Sequence, residues 1–262
     1  MAALSLGMGL TAVRRPWTPA MLPGLCAWSE CRGTVYQDPA MTIPAGPGDP
    51  VGGVPDLSGN GHHALQPTQS LKPTLLSAAF PSGRSGLYFD GVDDRLILDA
   101  LGPLFSGQDV PFTVGMAFRL DDTAYHALQG LGNSTTSTPY SMLYAYNSSM
   151  AHYRRDDTST YAALTGPAVA VGQAQVVVAT FAETPGVVAR TIINNAAQQS
   201  GTLDVGNTTV NRFVIGAAER SGTPLYPFKG RIGAWVVVAR ALSAPERAAL
   251  ARYLMAWAGV PL

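Results

Sequence analysis

Two short stretches of this 262-residue chain gather oxygen-bearing side chains. In the first, Asp56, Ser58 and Asn60 alternate with Leu57 and Gly59, and Gly61 follows. Alternate oxygens with a turn glycine have the spacing of a Ca²⁺-binding loop. A structural Ca²⁺ held by Asp56, Ser58 and Asn60 would need more oxygens, and Asp90, Asp93 or Asp94 of the second stretch could supply them. The other reading is that Asp56 and Asn60 bond their own backbone as Asx turns, with Gly59 and Gly61 at positive φ. It is the simpler one: a twelve-residue loop would close on an acid, and none stands there.

Asp93 and Asp94 also raise the question of paired carboxylates for glycoside hydrolysis. The four glutamates, Glu30, Glu183, Glu219 and Glu246, neighbour no other acid, so turn carboxylates are expected instead. His62 and His63 would point opposite ways on a strand and are read as exposed loop residues. No G-x-S-x-G elbow, Walker A loop or G-x-G-x-x-G occurs, and no enzymatic activity is expected. Five of the ten tyrosines fall within 140–161. Tyr140, Tyr144, Tyr146 and Tyr153 are the candidates for stacking on sugar rings, since a phenol offers an apolar face and a polar tip. Packing against the core or a neighbouring subunit is the plainer alternative.

These residues must be positioned by strands. "FTVGMAFRL" at 112–120 puts Phe112, Val114, Met116 and Phe118 on one face by period 2, and 140–147 repeats the pattern with Tyr140, Met142, Tyr144 and Tyr146. The apolar runs at 174–182 and 233–242 suit strands covered on both faces. Segments 186–195 and 210–218 are further strands. One helix is expected, over 244–258, after a Ser243–Glu246 capping box, with Leu250, Leu254 and Trp257 inward and Gly259 closing it.

Charged residues are only 13% of the chain and net charge is zero, with no basic stripe for nucleic acid. No apolar run reaches the roughly 18–20 residues of a membrane span. Cys26 and Cys31 are expected as free thiols, Cys26 in a strand. Residues 1–19 read as an arm ahead of a single domain over 20–262. Its apolar Leu4, Leu6, Met8 and Leu10 need a partner surface, with Arg14 and Arg15 at the rim of the contact.

The order "DLSGNGHHA", "GLYFDGVDDRL", "FTVGMAFRL" and the closing "FKGRIGAWVVV" before the capped helix resembles the laminin-G-like, concanavalin A-like superfamily. The resemblance covers about residues 17–258. Gly233 stands where members often carry Asp. It implies an all-β, antiparallel two-sheet jelly-roll sandwich with one C-terminal α-helix. The opening at 17–28 is similar to versions of this domain in bacteriophage structural proteins. That implies a non-enzymatic virion component (capsid decoration, fibre or tail-associated), made in the host cytoplasm and carried on the particle. Its implied partners are other virion proteins, further copies of itself and a host-surface glycan. The alternative is a carbohydrate-binding adhesin module of a bacterial surface or secreted protein. If the arm docks, deleting residues 1–15 leaves the melting temperature nearly unchanged but blocks incorporation into particles. Loss of folding would instead make the arm an edge strand of its own sandwich.

Overall fold

The computed structural model describes residues 16–138, 140–183, 188–194 and 196–262. The expected docking residues Leu4, Leu6, Met8, Leu10, Arg14 and Arg15 lie outside the described residues. Two eight-stranded antiparallel sheets pack as a jelly-roll sandwich. In the first sheet the order is Gln199–Thr202, Val188–Ile193, Ala174–Glu183, Phe112–Leu120, Lys229–Val238, Gly86–Asp90 and Thr74–Leu76, and Leu25–Glu30 also pairs with Lys229–Val238. The second runs Tyr161–Ala168, Ser149–Arg155, Tyr140–Tyr146, His126–Gly132, Arg212–Ile215, Leu96–Ile97, Ala64–Leu65 and Gly53–Val54.

Period 2 decides which side chains enter the core. Phe112, Val114, Met116 and Phe118 point between the sheets and meet Leu128, Leu143 and Phe213 of the second sheet. The alternate positions, Thr113, Gly115 and Ala117, face the other way and receive the helix Ala244–Ala258. Leu250, Leu254 and Trp257 of that helix are buried there with Val176, Val178 and Val236. The two apolar runs are therefore covered on both faces, as their composition required.

The helix entry is tied at several points. The Ser243 N–H donates to the Glu246 carboxylate at 2.9 Å, in a capping box. Glu246 also receives Arg240 at 2.6 Å and 3.0 Å. The Arg240 contact, together with Ser243, holds the Glu246 carboxyl down to about 2 despite its partial burial. Buried Thr113 accepts from the Leu242 N–H at 3.1 Å and donates to the Arg240 carbonyl at 2.9 Å. Gly259 ends the helix in the left-handed region, at φ 74°.

The long strands His126–Gly132, Ser149–Arg155 and Tyr161–Ala168 escape the sequence pattern, as do short ones such as Thr74–Leu76 and Gln199–Thr202. In the first two, and in the neighbouring Tyr140–Tyr146, polar residues are buried: Gln129, Ser141, His152 and Arg154. His152 bonds the Thr191 hydroxyl, and burial pushes its imidazole down to about 3, so it stays neutral. Arg154 pairs with Asp109 at 2.9 Å. Cys26 and Cys31 are free and buried, and burial raises the Cys31 thiol to about 12.

Gly233 has a steric reason. A Cβ there would come within 2.4 Å of both Phe80 and the Trp257 indole. Gly233→Ala should therefore lower stability by about 1–3 kcal/mol, the cost of overpacking a filled core. Gly33→Ala, where a Cβ meets nothing within 4 Å, should leave it nearly unchanged. Urea unfolding of both variants checks this.

Candidate functional site

The Asp56 loop uses its oxygens internally. Asp56 Oδ1 accepts the N–H groups of Trp28 and Ser58, each at 2.9 Å. Oδ2 accepts the Ser58 hydroxyl at 2.6 Å and the His62 N–H at 3.1 Å. Burial alone would raise the Asp56 carboxyl, but these hydrogen bonds together hold it below the usual carboxylate range. Asn60 Nδ2 donates to the Leu25 and Cys26 carbonyls at 2.8 Å and 3.1 Å. Gly59 and Gly61 take φ 89° and 76°. Asp56 thus forms the expected Asx turn, whereas Asn60 bonds not its own backbone but the strand Leu25–Glu30, stapling the loop to it.

The pairing of this loop with Asp90 around one ion is corrected by the topology. Asp56 hangs on Trp28, which is opposite Val236, whereas Asp90 is opposite Lys229 of the same strand. Seven residues of strand separate the two by about 23 Å. Asp90 instead groups with Asp93 and Asp94, their carboxylate oxygens within 4.8 Å of one another. Among the described residues this is the acidic group whose donor atoms converge. Asp90 also accepts from the Val92 N–H at 2.8 Å, and Asp94 from the Asp90 N–H at 3.0 Å.

The tyrosines lie on the outer face of the second sheet. Tyr125 stacks on Tyr146 with centroids 3.7 Å apart, and on Tyr226 at 5.1 Å. Tyr144 lies parallel to Tyr125 at 6.0 Å. The adjacent Tyr146 hydroxyl, with partial desolvation, pushes the Tyr125 phenol up to about 12. A second file joins Tyr140, Tyr153 and Tyr161, with Arg220 over the Tyr140 ring at 5.3 Å. Tyr125, Tyr146 and Tyr161 are 41%, 36% and 66% exposed. Tyr144 and Tyr153 are half-buried. Tyr140 is only 5% exposed, so it supports the file rather than offering a ring face. The sequence reading missed Tyr125 and Tyr226, which lie outside the strand pattern and meet the others only through the fold.

His126 holds this face together. Its Nδ1 lies 2.8 Å from the Pro227 carbonyl and its Nε2 lies 2.5 Å from Asp122 Oδ1. One ring thereby links the turn carrying Tyr125 to the segment carrying Tyr226. Burial raises the Asp122 carboxyl, but hydrogen bonds from Ala124, His126 and Lys229 prevail and lower it to about 2.

The hairpin of Ala218–Arg220 and Thr223–Leu225 lies over the same face. A Cβ on Gly130 would come within 2.5 Å of Ala218, which is how closely the hairpin is seated. Buried Glu219 accepts Arg212 at 2.9 Å and lies 3.7 Å from Arg95. Arg212 also pairs with Asp99 at 2.8 Å and lines a cleft of about 390 Å³ with His62, His63, Leu65 and Ile97. The expectation of two exposed, divergent histidines does not hold. They are half-buried on a loop, where strand alternation does not apply, and both reach this cleft. His63 Nδ1 accepts the Asp56 N–H at 3.0 Å.

Sheet order, packing and the C-terminal helix define a jelly-roll β-sandwich. No protein-family model matches the sequence, and no curated protein matches it. Solved structures do. The CBM40 domain of the Ruminococcus gnavus IT-sialidase aligns with TM-score 0.53 and 21% identity, over 63% of this chain and 96% of that one. Structures of that domain bound to α2,3- and α2,6-sialyllactose align equally well. The NanB sialidase from Streptococcus pneumoniae aligns at 0.51 and 22%, over 60% of this chain but 26% of that one. The binding domain of Paraclostridial Mosquitocidal Protein 1 reaches 0.58 at 10% identity, over 89% and 52%. At these identities the likeness establishes the fold.

The acidic trio sets a pH dependence. Burial, with the Asp90 and Asp93 charges, raises the Asp94 carboxyl from 3.8 to about 7 against the hydrogen bond from the Asp90 amide. Between those values the folded chain keeps a proton that the unfolded chain has lost. Stability through this group therefore falls as pH rises from about 4 to about 7, and stays lowered above. Asp94→Asn should melt higher than the parent at pH 8, with the gap closing toward pH 4. Parallel melting curves across that range would remove the assignment.

Proposed function

We propose that this chain is a non-catalytic carbohydrate-binding module whose ligand lies on the tyrosine face of the second sheet. The observation that carries this reading is the exposed stack of Tyr125 and Tyr146, backed by Tyr144 and Tyr226. Sugar rings present C–H faces that pack on aromatic planes, and phenolic hydroxyls add hydrogen bonds at the ring edge. The rings hold one another and are tied by His126, so little freedom is lost on binding. The sialyllactose-bound neighbours support the reading at the level of the fold. The sequence carries no G-x-S-x-G nucleophile elbow, which supports a binding role over ester hydrolysis.

Placement on a bacteriophage particle, beside other virion proteins, is the further part of this proposal. It rests on the opening at 17–28 and the order of motifs. Co-purification with intact particles tests it separately.

On a glycan array the chain should retain a defined set of sugars. Tyr125→Ala and Tyr146→Ala should each weaken that binding by about tenfold, the scale of one lost aromatic stack. Because Tyr125 and Tyr146 are well exposed, the melting temperature should change little. Retention of no glycan, or unchanged binding in the double variant, would count against the reading.

A further inference from the structure

A separate cluster lies on the helix side of the sandwich, away from the tyrosine face. Its centre is Glu30, 4% exposed. Glu30 Oε1 accepts the Trp28 indole N–H at 2.8 Å and the Tyr253 hydroxyl at 2.5 Å. Oε2 lies 2.6 Å from Arg32 Nε. The carboxylate is thus taken up by its own neighbours. Arg32 keeps its two outer nitrogens and lies 5.9 Å from the Trp28 ring centre.

Arg84 rests over the Trp257 indole at 5.5 Å. It is half-buried, and among the described residues no carboxylate pairs with it. Trp257 is 3% exposed, and its indole N–H has no acceptor among the described residues. Arg32, Arg84, Tyr253, Ala256 and Trp257 line one cavity of about 170 Å³. Both guanidiniums lie close enough to the Tyr253 hydroxyl to counter the rise that burial and Glu30 impose on it.

The cavity wall is therefore rich in donors and short of acceptors. Guanidinium and indole groups can only donate. A buried donor without an acceptor lowers stability, as does a partly buried cation without a counter-charge. Both deficits are met by one kind of group, an oxygen acceptor carrying negative charge. The charge balance narrows the choice: Arg32 is offset by Glu30, leaving the single positive charge of Arg84. A monoanion matches that, whereas a phosphate dianion exceeds it. A planar carboxylate also fits the fork of a guanidinium.

We propose that this cavity binds a small ligand through a carboxylate group. Arg84 is the principal cation, the outer nitrogens of Arg32 and the Trp257 N–H are further donors, and the Tyr253 and Trp257 rings form an apolar wall. Nothing in this assignment depends on the glycan reading.

The test uses the full chain, with the indole N–H signals followed by ¹H–¹⁵N NMR and Trp257 assigned through Trp257→Phe. Titration with sodium benzoate should shift the Trp257 signal saturably, whereas sodium chloride at matched ionic strength should not. Arg84→Gln should weaken benzoate binding by about tenfold or more, the scale of a lost charge-assisted pair. Arg84→Lys, which keeps the charge and loses the fork, should weaken it less. Tyr125→Ala should leave the titration unchanged, so this site and the glycan face can fail independently. The proposal is overturned by an equal response to chloride, by a benzoate titration that Arg84→Gln leaves intact, or by phosphate binding more tightly than benzoate.

Discussion

The structure hangs on the strand Lys229–Val238. One edge pairs along its length with Phe112–Leu120, and the other is shared between Gly86–Asp90 and Leu25–Glu30. One of its faces enters the core between the sheets through Ile232, Trp235 and Val237. The other lies under the helix through Ala234, Val236 and Val238. Gly233, where the register shifts, leaves room for the Trp257 ring. A strand saturated on both edges and both faces cannot slip without exposing one apolar set and burying nothing in return. The Asp56 staple at Trp28 and the acidic trio at Asp90 take their separate places from this one strand.

The second sheet follows a different logic. Its inward positions include Gln129, His152 and Arg154, and its outer face carries the hairpin at 218–225 over Glu219, Arg212 and Arg95. Buried ion pairs contribute little net stability, but removing one partner strands the other and is strongly destabilising. Burial indeed pulls the Glu219 carboxyl upward despite both arginines. The network keeps the hairpin in place. The hairpin leaves the tyrosine files on one side and the Arg212–Asp99 cleft on the other. Aromatic rings on one side and charged groups on the other give this face two chemically distinct areas.

The two sides of the sandwich thus differ in chemistry. The helix covers the outer face of the first sheet and brings Tyr253 and Trp257 beside Arg32 and Arg84. Among the described residues no α-helix covers the outer face of the second sheet, and its outer aromatic rings remain partly in solvent. A surface tyrosine file of this kind offers apolar area that either a ligand or a neighbour could cover.

Much of the architecture was legible locally. Period 2 in Phe112–Leu120, the long apolar runs of Ala174–Glu183 and Lys229–Val238, and the Ser243–Glu246 box each depend on neighbours in sequence, so spacing alone reveals them. The Asx turn at Asp56 was available for the same reason. The strands His126–Gly132 and Ser149–Arg155 were not, because their buried polar residues are stabilised by partners far along the chain, such as Thr191 for His152 and Asp109 for Arg154. Nor could spacing place Asp56 and Asp90 toward opposite ends of one strand, or set Tyr125 and Tyr226 against Tyr146. Spacing and capping by themselves determined a chain of β-strands closed by one helix. That Tyr226 stacks on Tyr125, and that Arg32 and Arg84 meet Tyr253 and Trp257, were decided by tertiary pairing, since those contacts join segments a hundred or more residues apart.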